Sequence, residues 1–198
     1  MSRRAERTRK TRETEIIASV DLDAPGSAEV STGIGFFDHM LEAFARHGQF
    51  GLKVECVGDL HIDAHHTVED VGIVLGSAVL EALGEKRGIV RFADATVPLD
   101  EALVRAVVDI SGRPFLHFDI DVPAGQPRIG EFDAALSVEF WRAFATEARV
   151  ALHLDLIRGD NAHHIVEATF KSAARALGRA WSLDPRLPNE IPSTKGAL

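Results

Sequence analysis

The sequence predicts an α+β fold that is internally duplicated, and three observations carry that prediction. Strand-like and helix-like segments alternate as strand, strand, helix, strand, helix, then an extra strand, then much the same again. The stretch Ala64-His65-His66-Thr67-Val68-Glu69 returns as Ala162-His163-His164-Ile165-Val166-Glu167. Upstream of each copy, Glu42-Ala43-Phe44-Ala45 matches Arg142-Ala143-Phe144-Ala145, and a Gly-Asp pair, Gly58-Asp59 or Gly159-Asp160, follows a strand in both halves. Landmarks in the same order define two similar halves, about 1–88 and 89–198. No polar linker separates them, so the expectation is one domain spanning 1–198.

The elements follow from local pattern. Glu15 to Leu22 reads as a strand, Pro25-Gly26 turns it, and Ala28 to Thr32 returns. Phe36 to Arg46 has the spacing of a helix, with Phe36, Met40, Ala43 and Phe44 on one stripe, and Gly48 stops it. Phe50 to Val57 is a strand, and Thr67 to Leu83 is a long apolar helix closed by Gly84. Three strands follow over Ile89 to Val97, Ala102 to Ile110 and Phe115 to Val122, divided by turn residues at Pro98, Ser111-Gly112 and Pro123 to Gly125. Phe132 to Glu147 is a helix, Val150 to Ile157 a strand and His163 to Trp181 the last helix. Pro185, Pro188 and Pro192 predict an extended tail over 184–198. Arg3, Arg4, Arg7, Arg9, Lys10 and Arg12 crowd the start, and segment 1–12 is expected to be flexible and solvated.

Composition excludes several function classes. The chain has 198 residues, 45% of them hydrophobic, enough for a real core. A net charge of −8 argues against general nucleic-acid binding. One cysteine, Cys56, rules out an internal disulfide framework and fits a reducing compartment. There is no apolar run of membrane-spanning length and no apolar leader at the start, so no membrane partner and a cytoplasmic location are expected.

The doubled His-His-x-x-Glu carries the chemistry. Imidazole and carboxylate donors suit Mn, Fe, Zn and similar divalent ions. On a helix His65 and Glu69 share a face, as do His163 and Glu167. Adjacent histidines point about 100° apart, so one ion does not easily take both from a regular helix. Each motif is therefore expected to serve two ions. A single histidine is more often an ordinary surface or core residue, but a fold has no packing reason to repeat three ligand types in matched positions. The repeat adds His39, three residues before the first Glu-Ala-Phe-Ala landmark, and its counterpart Glu139. His47, His61, His117 and His153 are assigned by default to structural or substrate-shell roles, with His153 a possible support for the second motif.

A second group reads as an anion grip. Arg91 follows Gly88-Ile89-Val90, Arg113 sits in the turn Ser111-Gly112-Arg113-Pro114, Lys171 lies four residues after Glu167, and Ser193-Thr194-Lys195-Gly196 forms a hydroxyl-rich, cationic tail. Arginine and lysine are the expected phosphate partners, although each alone is more often a surface charge.

Gly35-Phe36-Phe37-Asp38-His39-Met40-Leu41, Asp63-Ala64-His65-His66-Thr67-Val68-Glu69-Asp70 and Pro98-Leu99-Asp100-Glu101-Ala102-Leu103 resemble motifs of the imidazoleglycerol-phosphate dehydratase family. Ser111-Gly112-Arg113-Pro114, the run Asn161 to Lys171 and Pro192-Ser193-Thr194-Lys195-Gly196 extend the resemblance to the C-terminus. It implies an enzyme of histidine biosynthesis, a carbon-oxygen lyase dehydrating imidazole glycerol phosphate to imidazole acetol phosphate. It also implies mixed sheets with the helices packed between them, as in ribosomal protein S5 domain 2-like folds. Two Mn2+ ions per active site and a homo-oligomer of 24 subunits built from trimers, with metal sites at interfaces, are implied as well. By motif, His39, His65, His66, Glu69, His163, His164 and Glu167 would be ligands; at the place of Glu139 some relatives carry a histidine ligand. Arg91, Arg113, Lys171, Ser193 and Lys195 would hold the phosphate, and Glu13 would reach the substrate.

The chemistry asked of such a site is demanding, because the proton to be lost is not acidic. Two metals on the two ring nitrogens would stabilise an imidazolate-like ring that expels hydroxide through a diazafulvene-like intermediate. Glu167 or Glu13 would move the proton, with the acid and base roles left open between them. A dinuclear hydrolase and a protein in which metal only joins subunits are the competing readings.

Overall fold

The computed structural model describes residues 3–198. The first half contains β1 (Arg4–Lys10), β2 (Thr14–Asp21), β3 (Ala28–Ser31), α1 (Gly35–Gly48), β4 (Gly51–Gly58) and α2 (His65–Leu83). The second contains β5 (Phe92–Leu99), β6 (Ala102–Asp109), β7 (Phe115–Asp119), the short strands β8 (Arg128–Ile129) and β9 (Phe132–Asp133), α3 (Leu136–Ala148), β10 (Ala151–Arg158) and α4 (Ala162–Ala180).

Both halves build the same mixed sheet. Strand order is β1-β2-β4-β3 in one and β5-β6-β10-β7 in the other. The last pair in each, β3 with β4 and β7 with β10, is parallel, and the remaining pairs are antiparallel. Alternating burial along β2 and β6 turns one face of each sheet inward. The helices fill the space between. α2 packs under β1 and β2, α4 under β5 and β6, and the two helix layers meet as α2 on α3 and α1 on α4. Each helix seam therefore joins one half to the other. One contiguous apolar core, including Phe37, Phe44, Phe140, Trp141, Phe144 and Phe170, runs through both.

Glycine sets the closeness of the α2–α3 seam. A Cβ on Gly72 would lie 2.7 Å from the Phe140 carbonyl oxygen, and one on Gly76 2.6 Å from that of Phe144. No other residue allows this approach, which draws the N-terminal turn of α2 toward that of α3.

Three expectations are corrected. The basic N-terminal segment is a strand, not a flexible tail: β1 pairs along its whole length with β2, from Arg4 opposite Asp21 to Lys10 opposite Glu15. Its charges find partners beyond the reach of local reading: Arg9 pairs with the buried Asp70, Arg7 Nε lies 2.7 Å from Glu81, and Arg3 pairs with Asp23. Met1 and Ser2 of the expected tail lie outside the described residues. The tail from 184 is a chain of turns rather than extended, with the amides of Leu187, Glu190 and Gly196 donating back to the carbonyls of Asp184, Leu187 and Ser193. It is pinned to the loop before β5, because the Gly88 amide donates to Glu190 (2.8 Å) and the Asp184 amide to Gly88 (2.7 Å). Finally, Phe132 does not begin a helix. It forms the β8–β9 hairpin through Ile129, and α3 starts at Leu136.

Candidate metal centre

Two clusters of donor side chains stand at the two helix seams, and each draws on both halves. At the α2–α3 seam the donor atoms of His65, Glu69 and Glu139 all lie within 4.8 Å of one another. His65 Nε2 is 3.6 Å from Glu69 Oε2, one helical turn away. Glu139 arrives from the first turn of α3 and pairs with Arg142. At the α1–α4 seam His163 Nε2 is 3.0 Å and His39 Nε2 3.8 Å from the same oxygen, Glu167 Oε2. Lys171 Nζ holds the other oxygen, Oε1, at 2.6 Å. The repeat thus places His39 against Glu139, His65 against His163 and Glu69 against Glu167 in equivalent positions.

The second histidine of each motif leaves its cluster. The rings of His65 and His66 stand 6.3 Å apart at 83°, and those of His163 and His164 6.1 Å apart at 84°. His66 Nδ1 faces Asp59 at 3.1 Å and His164 Nδ1 faces Glu101 Oε2 at 2.7 Å. The Nε2 atoms then point toward hairpin tips, 3.8 Å from Glu13 for His66 and 3.9 Å from Asp100 for His164. A carboxylate behind one ring nitrogen fixes the tautomer and leaves the other nitrogen to a metal. Sequence reading missed Asp59, Asp100 and Glu101 as site residues. Asp59 had a signal in the Gly-Asp landmark. Its formal counterpart Asp160 does not contact His164; instead the amides of Asp160 and Asn161 donate to Glu101 Oε1 at 3.3 and 3.1 Å, which orients that carboxylate.

Proton affinities follow the contacts. The hydrogen bond to Asp59 raises the His66 pKa, and that to Glu101 raises the His164 pKa, while Glu101 is held down at about 2, chiefly by His164. Burial acts to raise the Glu167 carboxyl, but Lys171, His163 and His39 together leave it below its ordinary value. Glu167 is therefore an anion at neutral pH. Imidazole nitrogens around carboxylate oxygens make a donor set that fits a divalent ion of the Mn, Fe or Zn type.

The anion-grip residues divide. Arg91 Nη1 donates to the Pro192 carbonyl at 2.7 Å and its Nε to Asp109 at 2.7 Å, so it meets the tail that carries Ser193 and Lys195. Leu198, the end of that tail, lies against Gly112, next to Arg113. Lys171 stands instead on Glu167. A cleft of about 700 Å³ opens beside His65 between the starts of α1, α2 and α3, with Ile62, Arg128 and Glu131 among its walls.

Known proteins resemble this chain in sequence and fold. The family model described as imidazoleglycerol-phosphate dehydratase matches residues 32–177. The chain belongs to that family. An imidazoleglycerol-phosphate dehydratase of Azorhizobium caulinodans is 57% identical over 196 residues, covering 99% of this chain and 98% of that protein. One from Ralstonia pickettii is 56% identical with both chains covered in full. Among solved structures, the imidazoleglycerol-phosphate dehydratase of Staphylococcus aureus superposes with a TM-score of 0.83 at 40% identity, covering 91% of this chain and 99% of that one. The Pyrococcus furiosus enzyme, solved in complex with (S)-C348, gives 0.82 at 36% identity, covering 97% and 100%. Membership of the imidazoleglycerol-phosphate dehydratase family makes this chain a hydro-lyase of histidine biosynthesis. The duplicated α+β fold expected from the sequence is the fold observed, and among the described residues no helix is long and apolar enough to cross a membrane.

Proposed function

We propose that this hydro-lyase converts imidazole glycerol phosphate to imidazole acetol phosphate at a site holding two divalent ions, Mn2+ by resemblance to the family. The observation that carries the reading is the pair of three-donor clusters, each assembled across both halves. His65, Glu69 and Glu139 would hold one ion, and His39, His163 and Glu167 the other. His66 and His164 diverge from these clusters with a carboxylate at their backs, so they serve ions other than those of their neighbours, at contacts with further copies of the chain. That arrangement favours a homo-oligomer, a 24-subunit shell of trimers by resemblance; the location we infer, the cytoplasm, rests on the lone cysteine of the chain, which fits a reducing compartment.

Ions held by these residues would supply Lewis-acid polarisation to the imidazole of the substrate. The side chains do the rest. Glu167, ionised and aimed by Lys171, is placed to move a proton, and Glu13 on the β1–β2 tip is the second carboxylate for that work. Arg91, Arg113, Ser193 and Lys195, at or beside the tail, would grip the phosphate and fix the substrate far from the reacting carbon, while Lys171, expected in the same grip, stands on Glu167. The hydroxyl and the proton taken from the non-acidic carbon would leave together as water, by way of a diazafulvene-like form of the substrate, and the resulting enol would become the ketone.

Turnover of imidazole glycerol phosphate, measured together with metal content, tests the reading. The expected result is about two ions per site and a ketone product that keeps its phosphate. Release of inorganic phosphate would mean hydrolysis instead. Complete chelation is expected to abolish turnover and shrink the particle; a particle of unchanged size would remove metal from the interfaces.

A further inference from the structure

The outer face of the second sheet, turned away from the helices, carries a group of donors that the dehydratase site does not use. Strands β7 and β10 run parallel and in register, with His117 opposite His153 and Asp119 opposite Asp155. Alternation puts all four side chains on the same outward face, while Leu152 and Leu154 point into the core. His153 therefore does not support the metal motif on α4. Two His-x-Asp segments lie side by side, and the donor atoms of His117, Asp119 and Asp155 are all within 4.8 Å of one another. The rings of His117 and His153 are 5.6 Å apart.

The equivalent positions of the first sheet show what an ordinary surface does there. Glu29 lies opposite Lys53 and Ser31 opposite Glu55. Lys53 neutralises Glu55 at 2.9 Å. In the second sheet no cation occupies the equivalent of Lys53. Arg105 reaches Asp155 from β6 and binds Oδ2 at 3.0 Å, which leaves Oδ1 facing His117 Nε2 at 3.5 Å and Asp119 without an ion-pair partner among the described residues. The same lattice thus holds a charge-compensated pair in one half and four metal-ligand side chains in the other.

We propose that His117, His153, Asp119 and Asp155 form a separate surface site for a divalent ion of the zinc class. Bond lengths of about 2.0–2.2 Å bring ligand atoms to within about 4 Å of one another, so His117, Asp119 and Asp155 close on an ion by small side-chain rotations on a fixed backbone, and His153 turns in from the neighbouring strand. Imidazole with carboxylate binds Zn2+ more tightly than Mn2+ by the general order of affinities, here as at the helix clusters, so zinc bound at this site is read as the difference between wild type and variant. The site lies on the face of the sheet opposite the helix clusters and stands whether or not those clusters bind manganese.

The test uses the assembled, manganese-loaded protein equilibrated with micromolar Zn2+, with both metals counted per chain by elemental analysis. The wild type is expected to carry one more zinc than the His117→Ala/His153→Ala double variant, with equal turnover. Single His117→Ala is expected to weaken zinc uptake at least tenfold. His117→Gln/His153→Gln repeats the comparison with polar replacements should the alanine variant fold poorly. Equal zinc content in wild type and both double variants would overturn the proposal, and so would loss of turnover in a folded double variant, because the site would then not be separate.

Discussion

The two donor clusters come from one repeat, yet they are not copies. At the α1–α4 seam Glu167 is almost buried, and two histidines and a lysine converge on it. At the α2–α3 seam Glu69 is about 44% exposed, no lysine stands one turn below it, and the residue at that place is Ile73. There the third donor is Glu139 rather than a histidine, and the compensating cation is Arg142. The first cluster is a preorganised anion held by a lysine and two imidazoles; the second is a looser, more acidic pocket beside an open cleft. Duplication gives two similar frames of donor side chains, and under the proposed function the side chains around them would separate proton transfer from binding.

The largest effect expected breaks that comparison at its centre. Glu167→Gln removes the negative charge on which His39 and His163 converge, and turnover should fall by about a thousandfold. Glu69→Gln at the equivalent position should cost less in turnover and more in metal occupancy, read by metal analysis; equal losses in both variants would erase the division of labour. Next come the carboxylates behind the diverging histidines. Asp59→Asn and Glu101→Gln should each lower metal affinity or activity by about 10- to 100-fold with the fold intact by circular dichroism. Glu139→His, which makes the two clusters chemically alike, should keep turnover within about tenfold of wild type, as befits an exchange of one ligand type for another. Gly76→Ala drives a Cβ into the Phe144 carbonyl and should cost about 2 kcal/mol of stability, seen as a lower melting temperature. The smallest effect concerns Cys56, whose thiol burial pushes up to about 11. It stays protonated at pH 8 and should react with a thiol reagent only after unfolding.

Much of this was legible in the sequence because it is periodic or repeated. Hydrophobic spacing located the four helices, and the repeat pointed to Glu139 from His39 before any contact was known. What escaped was set by distant partners. Arg7 and Arg9 look like tail charges until Glu81 and Asp70 of α2 are brought beside them. Once β1 is counted, the extra strand of the second half has its match, and the halves are more alike than their sequences. Phe132 has a helical neighbourhood by pattern, but its burial beside Phe36 and Phe37 is won by a hairpin. Asp59 and Glu101 escaped for the opposite reason: the halves reach the same hydrogen bond from different places in the chain, so the repeat misdirects toward Asp160.

The central claim is that each His-His-x-x-Glu motif divides its two histidines between two ions. A crystal structure of the manganese-loaded assembly, with ions located by their anomalous scattering, tests it directly. The account predicts one ion on His65, Glu69 and Glu139 and another on His39, His163 and Glu167, with His66 and His164 each bound to an ion that its sequence neighbour does not touch. A single ion ligated by both His65 and His66, or by both His163 and His164, would contradict it.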